Sequence, residues 1–89
     1  MAVTVELTYD MSVALGVPRF EVEGAATVAD AVRQARARFG DRDKASEFDQ
    51  LTRVAAVAVN GVLINHKKGM RTPLADGDTV AFVKAAAGG

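Results

Sequence analysis

Hydrophobic and polar positions alternate at the start of the chain, where Val3, Val5, Leu7 and Tyr9 are interleaved with Thr4, Glu6 and Thr8. A period of two places one set on a core face and the other in solvent, which predicts a half-buried strand. The alternation returns at residues 19–23, with Phe20 and Val22 inward between Arg19, Glu21 and Glu23. These two strands are expected to form a hairpin, with residues 10–18 as the connecting loop. After a turn at residues 24–26 the period changes, and Val28, Ala31, Val32, Ala35 and Phe39 recur at helical spacing. Thr27 followed three residues later by Asp30 is a capping-box pattern that starts this helix, and Gly40 stands where a C-terminal glycine cap belongs. Asp30, Arg33, Arg36 and Arg38 fall largely off the apolar stripe, so the helix covers one face of a sheet and turns the arginines to solvent. Residues 41–53 are polar; Ser46 and Asp49 are spaced like a second cap, and Phe48 and Leu51 are available to pack, which fits a short helix or a turn.

The second half reads as strands again. An apolar run at 54–59 ends in Asn60-Gly61, the strongest short hairpin signal, and is answered by Val62, Leu63 and Ile64. A polar loop at 65–73 contains His66, Lys67, Lys68 and Arg71, and Leu74 then leads into the turn Asp76-Gly77-Asp78 and a strand at 79–83. The expectation is one α+β domain over residues 1–83, with about five strands and one main helix, followed by a tail at 84–89. The first two strands keep a polar face, but the later two are apolar on both, with Ala56, Ala58, Ala81 and Val83 opposite Val57, Val59, Val80 and Phe82. One helix covers only one side, so apolar surface near the tail either stays open for a protein partner or belongs to central strands lined by small residues.

Composition narrows the function. Eighty-nine residues make a small domain with little room for a deep catalytic cleft, so action through a partner is expected. The 11 basic residues balance the 11 acidic ones, and the electrostatic footprint of a nucleic-acid binder is missing. With no cysteine there are no disulfides, thiolate metal sites, iron–sulfur clusters or cysteine nucleophiles, and any sulfur chemistry must use imported sulfur. The single histidine, His66, has no second ligand spaced for a metal, so no metal is expected. Residues 1–10 alternate rather than forming a charged start and an apolar run, so neither signal peptide nor membrane span is read there and a cytoplasmic location is expected.

The sequence closes on Gly88-Gly89. Glycine lacks a Cβ and can enter a channel too narrow for any other residue. The six residues after the last predicted strand would reach at most about 20 Å if extended, enough to enter a partner's active site. The alternative is a frayed terminus in which the glycines are incidental.

Three stretches carry a resemblance to a known family: Thr27-Val28-Ala29-Asp30-Ala31-Val32 opening the helix, Val57-Ala58-Val59-Asn60-Gly61 at the hairpin, and the run from Thr72-Pro73-Leu74 through Asp76-Gly77-Asp78-Thr79-Val80-Ala81-Phe82 to Gly88-Gly89. In element order and in these motifs the chain resembles the MoaD/ThiS sulfur carriers, and in length and its Thr-Pro-Leu approach it is most similar to MoaD, the small subunit of molybdopterin synthase. Lys84 to Ala87 depart from the usual MoaD pattern, in which two prolines and then a valine or similar residue are common. The resemblance implies a ubiquitin-like β-grasp fold with a mixed sheet. It implies that the Gly89 carboxylate is adenylated with ATP by a ubiquitin-activating-enzyme-like adenylyltransferase of the MoeB/ThiF type, then converted to a thiocarboxylate that donates sulfur. The acceptor would be a large subunit of the MoaE type, or another sulfur acceptor in thiamine, cysteine, tRNA or secondary-metabolite synthesis. Catalytic side chains and bound cofactors would belong to the partners; in this chain Gly89 would carry the sulfur, and Gly88, Ala87, Ala86, Phe82 and Val83 would meet the partner. Two other classes remain: a ubiquitin-like modifier joined to lysines, with Lys44, Lys67, Lys68 and Lys84 as self-conjugation sites, and a plain binding module.

Overall fold

A computed structural model describes residues 1–85. Its elements run β1 (Ala2–Glu6), α1 (Tyr9–Leu15), β2 (Arg19–Glu23), α2 (Val28–Arg38), α3 (Arg42–Thr52), β3 (Ala55–Val59), β4 (Val62–Leu63) and β5 (Thr79–Lys84), with single turns of 3₁₀ helix at Ile64–His66 and Gly69–Arg71. The five strands form one sheet in the order β2-β1-β5-β3-β4. β1 and β5 are parallel and the other neighbours antiparallel, which is the mixed sheet of a β-grasp domain.

The inward positions are the ones the alternation selects. Val3, Val5, Phe20, Val22, Val80 and Phe82 from the sheet meet Met11, Leu15, Val28, Ala31, Ala35 and Phe48 from the helices in one contiguous core. All four phenylalanines join in a chain across it: Phe20 to Phe39, Phe39 to Phe48 and Phe48 to Phe82 have centroid separations of 5.8, 5.9 and 5.7 Å, two of them edge-on. That series links β2, the end of α2, α3 and β5 through geometries that aromatic rings favour.

α2 begins as its sequence dictates. The Thr27 hydroxyl accepts from the Asp30 N–H at 3.3 Å, and the Asp30 carboxylate accepts from the Thr27 and Ala26 N–H groups at 3.2 and 3.1 Å. Its other end differs from expectation. Phe39 closes the helix at φ −96°, donating its N–H to the Arg36 carbonyl at 3.0 Å, so no glycine cap forms at Gly40. The strap before β5 seats on the start of α2 through Val28 N–H to Thr72 C=O at 3.0 Å and Leu74 N–H to Ala26 C=O at 2.9 Å.

Two segments depart from the sequence reading. Residues 10–18 hold α1 rather than a loop. Thr8 caps it by accepting from the Met11 N–H at 3.1 Å, and Gly16, left-handed at φ 84°, ends it with its N–H on the Ser12 carbonyl at 2.8 Å. Met11 and Leu15, one turn apart, are buried, and β1 and β2 pair antiparallel with this helix between them. The strand alternation stops at Glu6, so Leu7 and Tyr9 lie outside it and Tyr9 is 80% exposed. Residues 41–53 form a full helix whose cap is Asp41, accepting from the Asp43 N–H at 2.8 Å, not the Ser46 and Asp49 pair.

Phe48 is 1% exposed and touches two other rings, so Phe48→Ala is expected to cost about 3–5 kcal/mol through lost burial and the cavity left behind. The midpoint of urea unfolding followed by circular dichroism measures this; a loss below about 1 kcal/mol would show that α3 contributes little to the core.

Candidate functional site

The start of β5 is fixed by two turns that grip each other. In the first, Asp76 Oδ1 accepts from the Ala2 N–H at 2.8 Å, Gly77 at φ 85° donates to the Ala2 carbonyl at 2.8 Å, and the Asp78 carbonyl accepts from the Thr4 N–H at 2.9 Å. The second is the β3–β4 turn, where Asn60 and Gly61 take positive φ of 49° and 85°, as a tight hairpin requires. The Asn60 side chain crosses between them: its Nδ2 donates to Asp78 Oδ1 and its Oδ1 accepts from the Thr79 N–H, both at 3.0 Å. Asp78 Oδ2 also accepts from the Ala75 N–H at 2.8 Å. These bonds, led by that backbone N–H, hold the Asp78 carboxyl below the ordinary aspartate pKa, with Lys67 adding a smaller electrostatic contribution. Asp76 and Asp78 build the turn, as expected, and also tie β5 to β1 and to the hairpin.

From that anchor β5 pairs with β1 as far as Ala81 and with β3 as far as Lys84, whose pairing with Ala55 is the last rung. At this end the structure forms an apolar recess of about 750 Å³. Its wall is made by residues 8–10 at the start of α1, Leu51 near the end of α3, Val54 and Ala55 leading into β3, and residues 82–85. The tail therefore departs from the rim of the recess. Tyr9 and Val54 stand over it 80% and 67% exposed, an unusual position for the chain's single tyrosine and a large aliphatic residue. On the sheet face away from the helices, Ala56 and Ala81 are half-buried and Val83 is exposed, so apolar surface does remain open beside the tail.

The residues expected to meet a partner divide three ways. Val83 is exposed where β5 ends. Phe82 is 4% exposed with its ring edge-on to Phe48, and it lines the recess from within the core. Ala86, Ala87, Gly88 and Gly89 lie outside the described residues. Sequence reasoning missed Tyr9, Leu51 and Val54 as parts of one surface; the available signal was Thr8 and Gly16 bracketing a helix-length segment, which swings Tyr9 out of the strand.

The charged residues of α2 are engaged within the fold. Arg33 pairs with Asp30 at 2.6 Å, Arg36 makes a forked pair with Asp49 of α3 at 2.8 and 3.0 Å, and the Arg38 guanidinium lies 4.6 Å from the centre of the Phe20 ring. The Arg36 hydrogen bonds lower the Asp49 pKa, and the same bonds raise that of Arg36. His66 is exposed in the first 3₁₀ turn, and no group of three or more metal-ligating side chains occurs among the described residues. No helix among them is long and apolar enough to cross a membrane.

The sequence pattern of the ThiS family matches residues 16–89. No curated protein matches the sequence significantly. The fold is similar to that of small archaeal modifier protein 1 from Methanosarcina acetivorans, with a TM-score of 0.78 and 22% identity over 99% of this chain and 96% of that one. It is also similar to a Pyrococcus furiosus protein assigned as molybdopterin converting factor subunit 1, with a TM-score of 0.72 and 20% identity over 97% and 99% of the two chains. A third match is to the complex of subunits 1 and 2 of the molybdopterin-converting factor from Helicobacter pylori, with a TM-score of 0.61 and 24% identity over 100% of both chains. The shared fold is the ubiquitin-like β-grasp.

The latch at β5 has a pH signature. Asp78 is bonded as a carboxylate, so its contribution to stability is complete above the ordinary aspartate value of 3.8 and is lost as pH falls through the lower, folded-state value. Asp78→Asn cannot satisfy the Ala75 and Asn60 donors as the carboxylate does. It is expected to be less stable than the parent at pH 7 and to show a shallower loss below about pH 4. Urea midpoints from pH 7 to 2 measure both, and parallel acid limbs would remove Asp78 from the account.

Proposed function

The chain belongs to the ThiS family, and on that premise we propose that it is a sulfur carrier acting through the carboxylate of Gly89. A carboxylate at neutral pH is a poor electrophile because its charge and resonance resist attack. A separate adenylyltransferase of the MoeB/ThiF type joins it to AMP from ATP, releasing pyrophosphate. A sulfur donor then attacks the acyl carbon and AMP leaves with its oxygen, so one carboxylate oxygen is replaced by sulfur. The thiocarboxylate delivers that sulfur to an acceptor, which we assign to the MoaE-type large subunit of molybdopterin synthase.

The observation that carries this reading is the reach of the family match through residue 89, taking in Gly88 and Gly89. Absence of cysteine agrees with it, since the sulfur must be imported. The division of labour is physical. Gly88, Ala87 and Ala86 offer a slim approach to a narrow channel. Val83 and the recess beneath Tyr9 and Val54 supply the apolar contact that holds the partner while the tail is used. The Helicobacter pylori neighbour, solved as a complex of subunits 1 and 2, supports a partner subunit for this chain.

A second reading is favoured by the fold similarity to the Methanosarcina modifier protein. There the acyl-adenylate would pass to a lysine amine of another protein, forming an amide instead of a thiocarboxylate. The two readings share activation and differ in the group that attacks next.

Intact mass after incubation with ATP, a sulfur donor and lysate of the source organism separates them. Exchange of one oxygen for sulfur, abolished by deleting Gly89, is the expected outcome; a ladder of larger conjugates would establish the modifier instead. If the mass stays fixed while a known carrier in the same lysate is converted, the carrier reading is wrong. Val54→Asp is expected to slow conversion at least about tenfold by placing a charge in the apolar contact. Its melting temperature should barely change, because Val54 is 67% exposed.

A further inference from the structure

β5 outlasts one of the strands beside it. β1 pairs with β5 only from Thr79 to Ala81, because Leu7 gives its N–H to the Pro18 carbonyl at 3.0 Å and Thr8 turns aside to cap α1. β3 stays paired as far as Lys84. The register fixes which backbone groups this leaves over. Asn60 donates its N–H to the Thr79 carbonyl and Thr4 donates to the Asp78 carbonyl, both at 2.9 Å, so odd-numbered residues of β5 turn their N–H and C=O toward β3 and even-numbered ones toward β1. Glu6, the last residue of β1, receives the Phe82 N–H in a parallel ladder of this register. The next two groups in that row, the Phe82 C=O and the Lys84 N–H, would need Thr8. Its carbonyl instead accepts from the Ser12 N–H at 2.8 Å, and neither β5 group has a hydrogen-bond partner among the described residues. This gap in the ladder is hollow on both faces of the sheet. On the helix side lies the recess beneath Tyr9 and Val54, and on the other a depression of about 380 Å³ has Leu7, Pro18, Ala81 and Val83 in its wall. Of the sheet's open edges, only this one belongs to the strand that leads into the tail.

We propose that the partner subunit which accepts sulfur from Gly89 adds an extended segment to β5 in the place β1 vacates, its backbone bonding to the Phe82 C=O and the Lys84 N–H and an apolar side chain entering the recess beneath Tyr9 and Val54. The inference rests on the reading above that Gly89 is delivered to such a subunit. The unmet groups specify an extended chain as occupant: an acceptor and a donor two residues apart along one side of a strand are answered by the N–H and C=O of a single residue, as Glu6 answers Val80 and Phe82 one rung earlier. Successive side chains of an added strand point to opposite faces, so they fall alternately into the two hollows. The position specifies which partner. Ala85 to Gly89 offer three methyl groups and two bare glycines, so a subunit that takes up this tail has little but backbone to hold. A ladder begun at Phe82 and Lys84 would continue along the tail with the same kind of bond.

Amide hydrogen exchange of the isotope-labelled chain, alone and saturated with a MoaE-type acceptor subunit, tests this at the atom concerned. The Lys84 amide is expected to exchange freely in the chain alone and to slow at least about tenfold in the complex, while the Val83 amide, which faces β3, is protected in both. Two variants separate pairing from mere covering. Lys84→Pro removes the N–H, and β3 loses no bond because Lys84 and Ala55 face each other with their N–H and C=O groups turned outward. It is expected to bind the subunit about tenfold more weakly by isothermal titration. Lys84→Ala keeps the N–H and should bind within about twofold of the parent. Should Lys84→Pro lower the urea midpoint, exchange in the parent chain decides alone. Equal binding by Lys84→Pro and the parent would overturn the proposal, as would a Lys84 amide that exchanges equally fast with and without the subunit. Equal losses in the proline and alanine variants would give the contact to the lysine side chain instead. A Lys84 amide already protected in the chain alone would also overturn it: loss of that protection on dilution would assign the edge to a second copy, and loss on deleting Gly88 and Gly89 to the chain's own tail. If sulfur still passes from Gly89 to the subunit under any of these outcomes, the carrier reading stands without this contact. If the parent chain does not bind a subunit that serves a known carrier, that reading fails, and this inference with it.

Discussion

The first and last strands lie side by side and run in parallel, and the rest of the architecture answers to that pairing. A parallel pair cannot be closed by a tight hairpin; it needs a long crossover connection. Here the crossover is nearly the whole domain, from Leu7 to Asp78, including all three helices. The result places β5 in the interior of the sheet, paired with β1 over Thr79–Ala81 and with β3 from Val80 to Lys84. A tail leaving from an edge strand would fray with it. One leaving from β5 departs from a strand whose first half β1 and β3 both hold and whose last residues pair with β3.

Polar side chains serve that pairing with little redundancy. Asp76 answers the N–H of Ala2, Asp78 answers Ala75 and Asn60, and Asn60 answers Thr79, so three short side chains join β1, β5 and the β3–β4 turn. Asn60 and Asp76 are exposed and Asp78 is half-buried, so none carries a large energy alone. Their effect is on register: slipping β5 by one residue would break these bonds together and turn Val80 and Phe82 out of the core. The same economy holds in the helices, where Asp30 caps α2 and pairs with Arg33, while Asp49 joins α3 to Arg36 of α2.

What could be read from the sequence was what local chemistry decides. The Thr27 and Asp30 box, the Asn60-Gly61 turn, the Asp76-Gly77-Asp78 turn and the alternation that buries Phe20, Val22, Val80 and Phe82 each depend on residues close in sequence. The α1 helix was illegible for the opposite reason. Seven residues with only Met11 and Leu15 buried form a helix too short to stand alone, and packing stabilises it. Gly40 carried a strong cap signal, yet Phe39 is drawn between Phe20 and Phe48 and closes the helix one residue earlier. The candidate site suffered similarly: Val83 and the last glycines were visible as a linear motif, but Tyr9, Leu51 and Val54 come together only through sheet order. The burial of Phe82 was legible from its alternation with Val83.

For the proposed carrier this distribution has a chemical logic. Two glycines present no side chain, so a partner can thread them but cannot distinguish them from any other Gly-Gly end. Recognition has to be supplied by the folded domain, within the distance the tail allows. Five residues from Ala85 to Gly89 span at most about 18 Å, so an enzyme acting on the terminal carboxylate has its reacting centre within that distance of the strand end. The recess at that strand end lies beneath Tyr9, exposed on the helix that buries Met11 and Leu15, and Val54, exposed between α3 and β3. Leaving them exposed forgoes about 1.5–3 kcal/mol of burial for a large aliphatic side chain. A docking partner recovers that term by covering them, which makes the apolar rim a reserve of binding energy placed where the chemistry needs the partner held.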